Sequence, residues 1–317
     1  MTSGLRLPQI VEDITQHSTA TSEHPDKKKR PQQWPTVGHE TAFGCPRDFL
    51  DNRFVYAVVS SRARGLSIGI NVNPDTKCNF SCVYCEVHRQ DSPREDHLNV
   101  EVMAAELKKT LAFVHDGRLR ERPWYQTVPD DLLRLRHVTL SGDGEPTFAP
   151  NFMEAVQAVV HVRALGGFPF FKLVLLTNGT GLDQPQVQQG LKFFTKSDEI
   201  WVKLDGGTQA YLNKVDRLNV PLEKILQNIL DIGRQRPIVI QSLFPAINHE
   251  EPPWEEVEQY AERLRELRVG GAQIPLVQIY SAARPTPNSG CGHLPLRTLS
   301  RIAHTVRQVS GLKAEVF

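Results

Sequence analysis

From about Leu66 onward the chain repeats one pattern, a short β-rich apolar run followed by an amphipathic stretch of helical period. The runs are Leu66–Val72, His137–Leu140, Lys172–Leu176, Ile200–Leu204, Ile238–Leu243 and Leu276–Tyr280. Several are continuously apolar, as expected of strands covered on both faces. The stretches between them are Val100–Val114, Phe152–Arg163, Gln184–Phe194, Leu222–Ile232 and Trp254–Leu267, and a last one spans Leu296–Val309. Within Trp254–Leu267 the apolar positions Trp254, Val257, Ala261, Leu264 and Leu267 recur at three- and four-residue steps, the signature of one buried helix face. Pro221 and Pro253 precede two of these stretches, at first-turn positions where a missing N–H is harmless. Strands each followed by a helix predict an α/β parallel sheet with right-handed crossovers. Six units fall short of a closed eightfold barrel, which leaves a partial (β/α)6 TIM-like barrel or a doubly wound sheet. Either places chemistry at the carboxyl ends of the strands.

Residues 66–317 are therefore expected to form the core domain, preceded by a lead-in segment at 39–65. Residues 1–38, rich in Ser, Thr, Pro and charge, read as a disordered or loosely attached arm. The arm contains the basic run Asp26-Lys-Lys-Lys-Arg30, which reads as a solvated tail or as a contact for RNA phosphates. Elsewhere charge gives no direction, because 37 Lys and Arg balance 36 Asp and Glu. No apolar run reaches the roughly 18 residues of a membrane span. Pro8, Asp13, His17 and Glu23 break up the region where a signal peptide would lie, so a cytoplasmic protein is expected.

Three of the five cysteines, Cys78, Cys82 and Cys85, fall on one loop just after the first predicted strand. Such a cluster in an intracellular chain points to metal rather than a disulfide framework. With no fourth cysteine nearby, the loop reads either as an iron–sulfur site with an open position or as a zinc site closed by His88. Isolated Cys45 and Cys291 read as small hydrophobes. Three further polar groups follow predicted strands: Ser141-Gly142-Asp143-Gly144-Glu145-Pro146-Thr147, Thr177-Asn178-Gly179 and Lys203-Leu204-Asp205-Gly206. A tight turn or a strand-end ion pair would account for them as well as a binding role would. Gln241, Gln278, Tyr280 and Arg284 fall near the ends of late strands, where they could bond a substrate or cap and pack.

The spacing Cys78-x3-Cys82-x2-Cys85, with aromatic Tyr84 before the last cysteine, resembles the signature of the radical S-adenosylmethionine superfamily. The resemblance implies one 4Fe-4S cluster on Cys78, Cys82 and Cys85, with S-adenosylmethionine chelating the open iron. It places Tyr84 against adenine, and Gly142, Gly144, Glu145 and Pro146 near the methionyl ammonium; Asp143 stands where a glycine is usual. Asn178 belongs to a turn common in the superfamily, and Lys203 and Asp205 take the ribose or carboxylate. It further implies reduction by a flavodoxin or ferredoxin, and reductive cleavage to a 5′-deoxyadenosyl radical that abstracts hydrogen from substrate. Ser67-Ile-Gly-Ile-Asn71, the 141–147 motif and Gln278-Ile-Tyr-Ser-Ala-Ala-Arg284 are similar to the wyosine-synthase-like branch, which implies RNA modification. The extra N-terminal cysteines that hold a second cluster in that branch have no counterpart here beyond Cys45. Outside the resemblance stands a non-catalytic zinc or iron–sulfur module that binds RNA or protein.

Overall fold

Apolar runs buried on both faces build one curved sheet with its helices outside. The computed structural model describes residues 42–44, 49–87, 95–284 and 286–317; the arm with its basic run, Cys45 and His88 lie outside the described residues. The strands are β1 (Val55–Ser60), β2 (Gly65–Asn71), β3 (Leu135–Ser141), β4 (Lys172–Thr177), β5 (Glu199–Lys203), β6 (Val239–Leu243), β7 (Ala246–Ile247), β8 (Leu276–Tyr280), β9 (Cys291–Gly292) and β10 (Ala314–Val316). The helices are α1 (Val100–His115), α2 (Asp130–Leu133), α3 (Phe152–Ala164), α4 (Pro185–Leu191), α5 (Gln209–Val215), α6 (Leu222–Gln235), α7 (Trp254–Val269) and α8 (Leu296–Ser310).

The main sheet runs β1-β2-β3-β4-β5-β6-β8-β10, and β7 pairs separately with β9. From β2 to β10 every pairing is parallel, while β1 lies antiparallel on β2. Strand order never reverses, so the sheet has no switch point, and right-handed crossovers put all helices on one side. This separates the two candidate architectures in favour of the partial barrel. The six expected strands are all present, and the sheet is wider by one strand at each edge. β1 arises from the expected lead-in segment, and β10 is too short to carry a period.

Alternation along each strand sorts side chains between two interiors. Ile68, Ile70, Val138, Leu140, Leu173, Leu175, Ile200, Val202, Ile240, Val277 and Ile279 form one apolar layer with the helices. The other face holds Val174, Trp201 and Val239 together with buried polar groups. There Ser67 Oγ and Thr139 Oγ1 lie 3.0 Å apart, and Gln241 Nε2 donates to Gln278 Oε1 at 2.7 Å. Gly69 is required on this face: a Cβ would come within 2.2 Å of the Tyr56 ring, whose hydroxyl reaches Ser141 Oγ at 3.0 Å.

The turn between β1 and β2 meets the far edge of the sheet. Arg62 lies 4.4 Å from the ring centre of Tyr280 in β8, and Arg64 pairs with Glu315 in β10 and lies 5.4 Å from the ring centre of Phe317. At the amino end of β5, buried Asp198 accepts from both terminal nitrogens of Arg163, at 2.7 and 3.1 Å, and from the Leu173 amide. Burial opposes the Asp198 charge, but Arg163 and the amide donors outweigh it and lower the carboxyl pKa.

His137 in β3 stands edge-on to Trp201, with ring centroids 5.1 Å apart. Burial, then the Lys172 and Arg62 cations, lowers its pKa to about 3. In the unfolded chain the imidazole protonates near its ordinary value of 6.5, so the contribution of neutral His137 is complete above that pH and is lost as pH falls toward about 3. Urea unfolding between about pH 6 and pH 5 should therefore show stability falling by about 1.4 kcal/mol per pH unit from this group. His137→Gln should remove that component of the slope; an unchanged slope would refute the assignment.

Candidate active site

Each polar motif expected at a strand end is found there, and the loops carrying them touch. The cysteine loop leaves β2 and is held at three places by backbone hydrogen bonds. Lys77 O accepts from Glu145 N at 3.0 Å, Ser81 N donates to Asp216 O at 3.0 Å, and Val83 N donates to Val215 O at 2.8 Å. Asn71, at the end of β2, donates to Asp143 Oδ2 at 2.6 Å and accepts from Asp143 N at 3.0 Å. The atypical aspartate thus latches this loop to the cysteine loop's root. Cys78, Cys82 and Cys85 are all half-buried. Cys78 Sγ accepts from Phe80 N at 3.4 Å and from Asn178 Nδ2 at 3.9 Å. Burial, then Asp216, pushes the Cys82 thiol pKa up, so metal binding there must displace a proton.

Glu145 is the hub of the three loops. It is 3% exposed, and its Oε1 accepts from Thr147 N at 3.1 Å, Thr147 Oγ1 at 2.7 Å and Thr177 Oγ1. Its Oε2 accepts from Asn178 N at 2.8 Å. Burial raises the carboxyl pKa even against these four donors. Pro146 opens a single 3-10 turn at 146–148 and is buried beneath the hub. Gly142 packs on Asn73, and a Cβ on Gly144 would stand 1.9 Å from Lys77 O, so this loop needs glycine for the cysteine loop to pass over it. Asn178 reaches the cysteine loop by donating to Asn79 Oδ1 at 2.8 Å.

Tyr84, Lys203 and Asp205 come together as a second group. The Tyr84 hydroxyl contacts Asp205 Oδ2 and, at 2.8 Å, Asp216 Oδ1. Lys203 Nζ is 3.3 Å from Asp205 Oδ2, 3.2 Å from Tyr280 OH and 4.7 Å from the Tyr84 ring centre. Asp205 Oδ1 accepts from Leu243 N at 2.7 Å. Burial works against the Lys203 charge, but Asp205 outweighs it and holds the ammonium protonated. Burial, then Asp205, pushes the Asp216 carboxyl up.

Asp216 was not singled out from the sequence, and Thr147 and Thr177 stood there only as members of their motifs, without a role of their own. Asp216 follows the short helix α5, whose Leu212 and Val215 mark the buried face that carries it inward. Gln241 and Gln278 bond each other deep in the barrel, and Gln241 Oε1 is buried with no donor among the described residues. Arg284 pairs instead with Glu86 of the cysteine loop at 2.9 Å. Cys291 packs beside the Val83, Tyr84 and Leu243 cluster, and burial raises its thiol pKa. This is the setting of a small hydrophobe.

No protein-family model matches the chain. A UPF0026 protein of Synechocystis is 33% identical over 179 residues, covering 55% of this chain and 57% of that protein. A UPF0026 protein of Helicobacter pylori is 29% identical over 187 residues, covering 57% and 52%. The matched segment thus spans about half the length of these curated relatives. Among solved structures, TYW1 with a lysine-pyruvate adduct bound superposes with a TM-score of 0.52 at 16% identity, covering 83% of this chain and 86% of that one. Streptococcus suis SuiB bound to S-adenosylmethionine gives a TM-score of 0.52 at 12% identity, covering 81% and 52%. The likeness is one of fold: a partial barrel of parallel strands with its helices outside, as expected from the alternating pattern.

The contact at Gly144 sets a direct test. Gly144→Ala should lower unfolding free energy by about 1–3 kcal/mol through overpacking against Lys77 O. Gly167→Ala, where a Cβ meets nothing within 4 Å, should leave stability within about 0.5 kcal/mol. Urea denaturation of the two variants checks both; equal effects would refute the close approach.

Proposed function

We propose that this chain is a radical S-adenosylmethionine enzyme with a single 4Fe-4S cluster on Cys78, Cys82 and Cys85. The observation that carries the reading is the placement of three half-buried thiols on one loop, latched to the ends of β3 and β4 at the mouth of a partial barrel. Among the described residues no three His, Cys, Asp or Glu side chains converge as ligands of one ion. Phe80 N and Asn178 Nδ2, aimed at Cys78 Sγ, are donors of the kind that tune a cluster's potential.

When bound, the cluster and S-adenosylmethionine supply a one-electron reductive cleavage that starts hydrogen abstraction from substrate. The chain's part is to bind and orient. Gly142 and Gly144 let the cysteine loop pass close over the end of β3, and Glu145, Pro146 and Asn178 fix the loops around the site. Tyr84, Lys203 and Asp205 offer an aromatic face, a cation and an anion to the cofactor's adenine, carboxylate and ribose. A flavodoxin or ferredoxin is the reductant this reading calls for, in the cytoplasm, and the wyosine-synthase-like motifs favour RNA modification as the reaction. Among the described residues no helix is long and apolar enough to cross a membrane.

Anaerobic reconstitution should load about four irons per chain. Dithionite with S-adenosylmethionine should then yield 5′-deoxyadenosine, detected by mass spectrometry. Cys78→Ala, Cys82→Ala and Cys85→Ala should each lose the cluster's visible absorbance and the product. An iron-loaded protein that leaves S-adenosylmethionine intact, or one that holds a single tight zinc, would overturn the reading.

A further inference from the structure

A groove of about 330 Å³ lies between α7 and α8, on the helical side of the sheet and apart from the cysteine loop. It is lined by Trp254, Arg297, Ser300, Arg301, His304 and Thr305. No carboxylate lines it, and α8 contains no Asp or Glu along its whole length. The Arg301 guanidinium lies 4.3 Å from the centre of the Trp254 ring. Among the described residues no ion pair engages Arg297, Arg301 or His304, and all three are exposed. Pro253 and Pro295 are the N-caps of α7 and α8, and neither helix has a side-chain cap. Parallel β/α alternation puts these two N-termini at the same end of the barrel as the carboxyl ends of the strands.

We propose that this groove binds the phosphate of a nucleotide unit, with its base stacked on the Trp254–Arg301 pair. Two guanidinium groups one turn apart, an imidazole on the next turn and two hydroxyls all present hydrogen-bond donors, and a phosphate presents only acceptors. An indole with a guanidinium laid over it offers a flat π surface suited to any base. A volume of about 330 Å³ is at the small end of ligand sites, the size of one nucleotide rather than of a dinucleotide cofactor. The same chemistry comes from a free nucleotide or from one residue of a single strand, and the test separates the two.

The test uses full-length reconstituted protein, a fluorescein-labelled twelve-residue oligouridylate read by anisotropy, and metal-free ATP as competitor. Wild type should bind the labelled strand, and the double variant Arg297→Gln, Arg301→Gln should bind at least tenfold more weakly. The variant's slope of log affinity against log salt should fall by about 1.4, the share of two phosphate contacts on a single strand. Trp254→Ala should weaken binding as well. Iron content and thermal unfolding should be unchanged in the double arginine variant, whose two side chains are exposed, which separates this result from failure of the cluster assignment. Displacement by submillimolar ATP identifies the free nucleotide as a ligand; binding of the strand without ATP competition identifies the strand. Wild-type affinity in the double variant would overturn the proposal, since the Lys27–Arg30 run would then account for binding. Competition by inorganic phosphate or polyglutamate as effective as that by nucleotide would also overturn it, as would no binding by either nucleotide probe.

Discussion

The loops around the candidate site depend on one buried carboxylate. Glu145 receives donors from Thr147, Thr177 and the Asn178 amide, and its own amide holds the carbonyl of Lys77. Three loops from three strands are thereby joined at one residue inside a region closed to water. A buried carboxylate is costly without donors and strongly held with them. The two oxygens differ in their support: Oε1 has three donors, whereas Oε2 depends on the Asn178 amide alone among the described residues. Gly144 is the steric counterpart, since the backbone of the cysteine loop occupies the space a side chain would fill.

Most of the fold was legible because its strands are buried twice over. Continuous apolar runs such as Leu173–Leu176 and helices with a strong stripe such as Trp254–Leu267 declare themselves by period alone, and their observed bounds differ from the expected ones by only a few residues. The elements that escaped are those for which period is weak. β10 has three residues, α5 has seven, and β1 lies in a segment whose role as an edge strand comes from pairing with β2 rather than from alternation. The choice between architectures was not in the period at all; it lies in strand order, a property of long-range pairing.

For the site, residue identity was legible where chemistry is rare, and partnership was not. Three cysteines in eight residues carry their own meaning, and Lys203 and Asp205 at a strand end invited attention. Nothing local indicates that Tyr84 reaches across more than a hundred residues to both Asp205 and Asp216, or that Arg284 turns to Glu86. Asp143 is instructive in the other direction. Read against the usual glycine it is a departure, yet in space it replaces conformational freedom with a two-way bond to Asn71.

The contacts of the β1–β2 turn bear on how the barrel breathes. A closed barrel is sealed by a ladder of backbone hydrogen bonds, whereas here the first and last strands meet through Arg64 and Glu315, and Arg62 rests on Tyr280. Arg64 is largely exposed, and an ion pair of that kind is worth about 0–1 kcal/mol, comparable to thermal energy. The seam is thus a clasp rather than a weld. Its two sides are joined by side chains alone, so parting them would break no strand pairing.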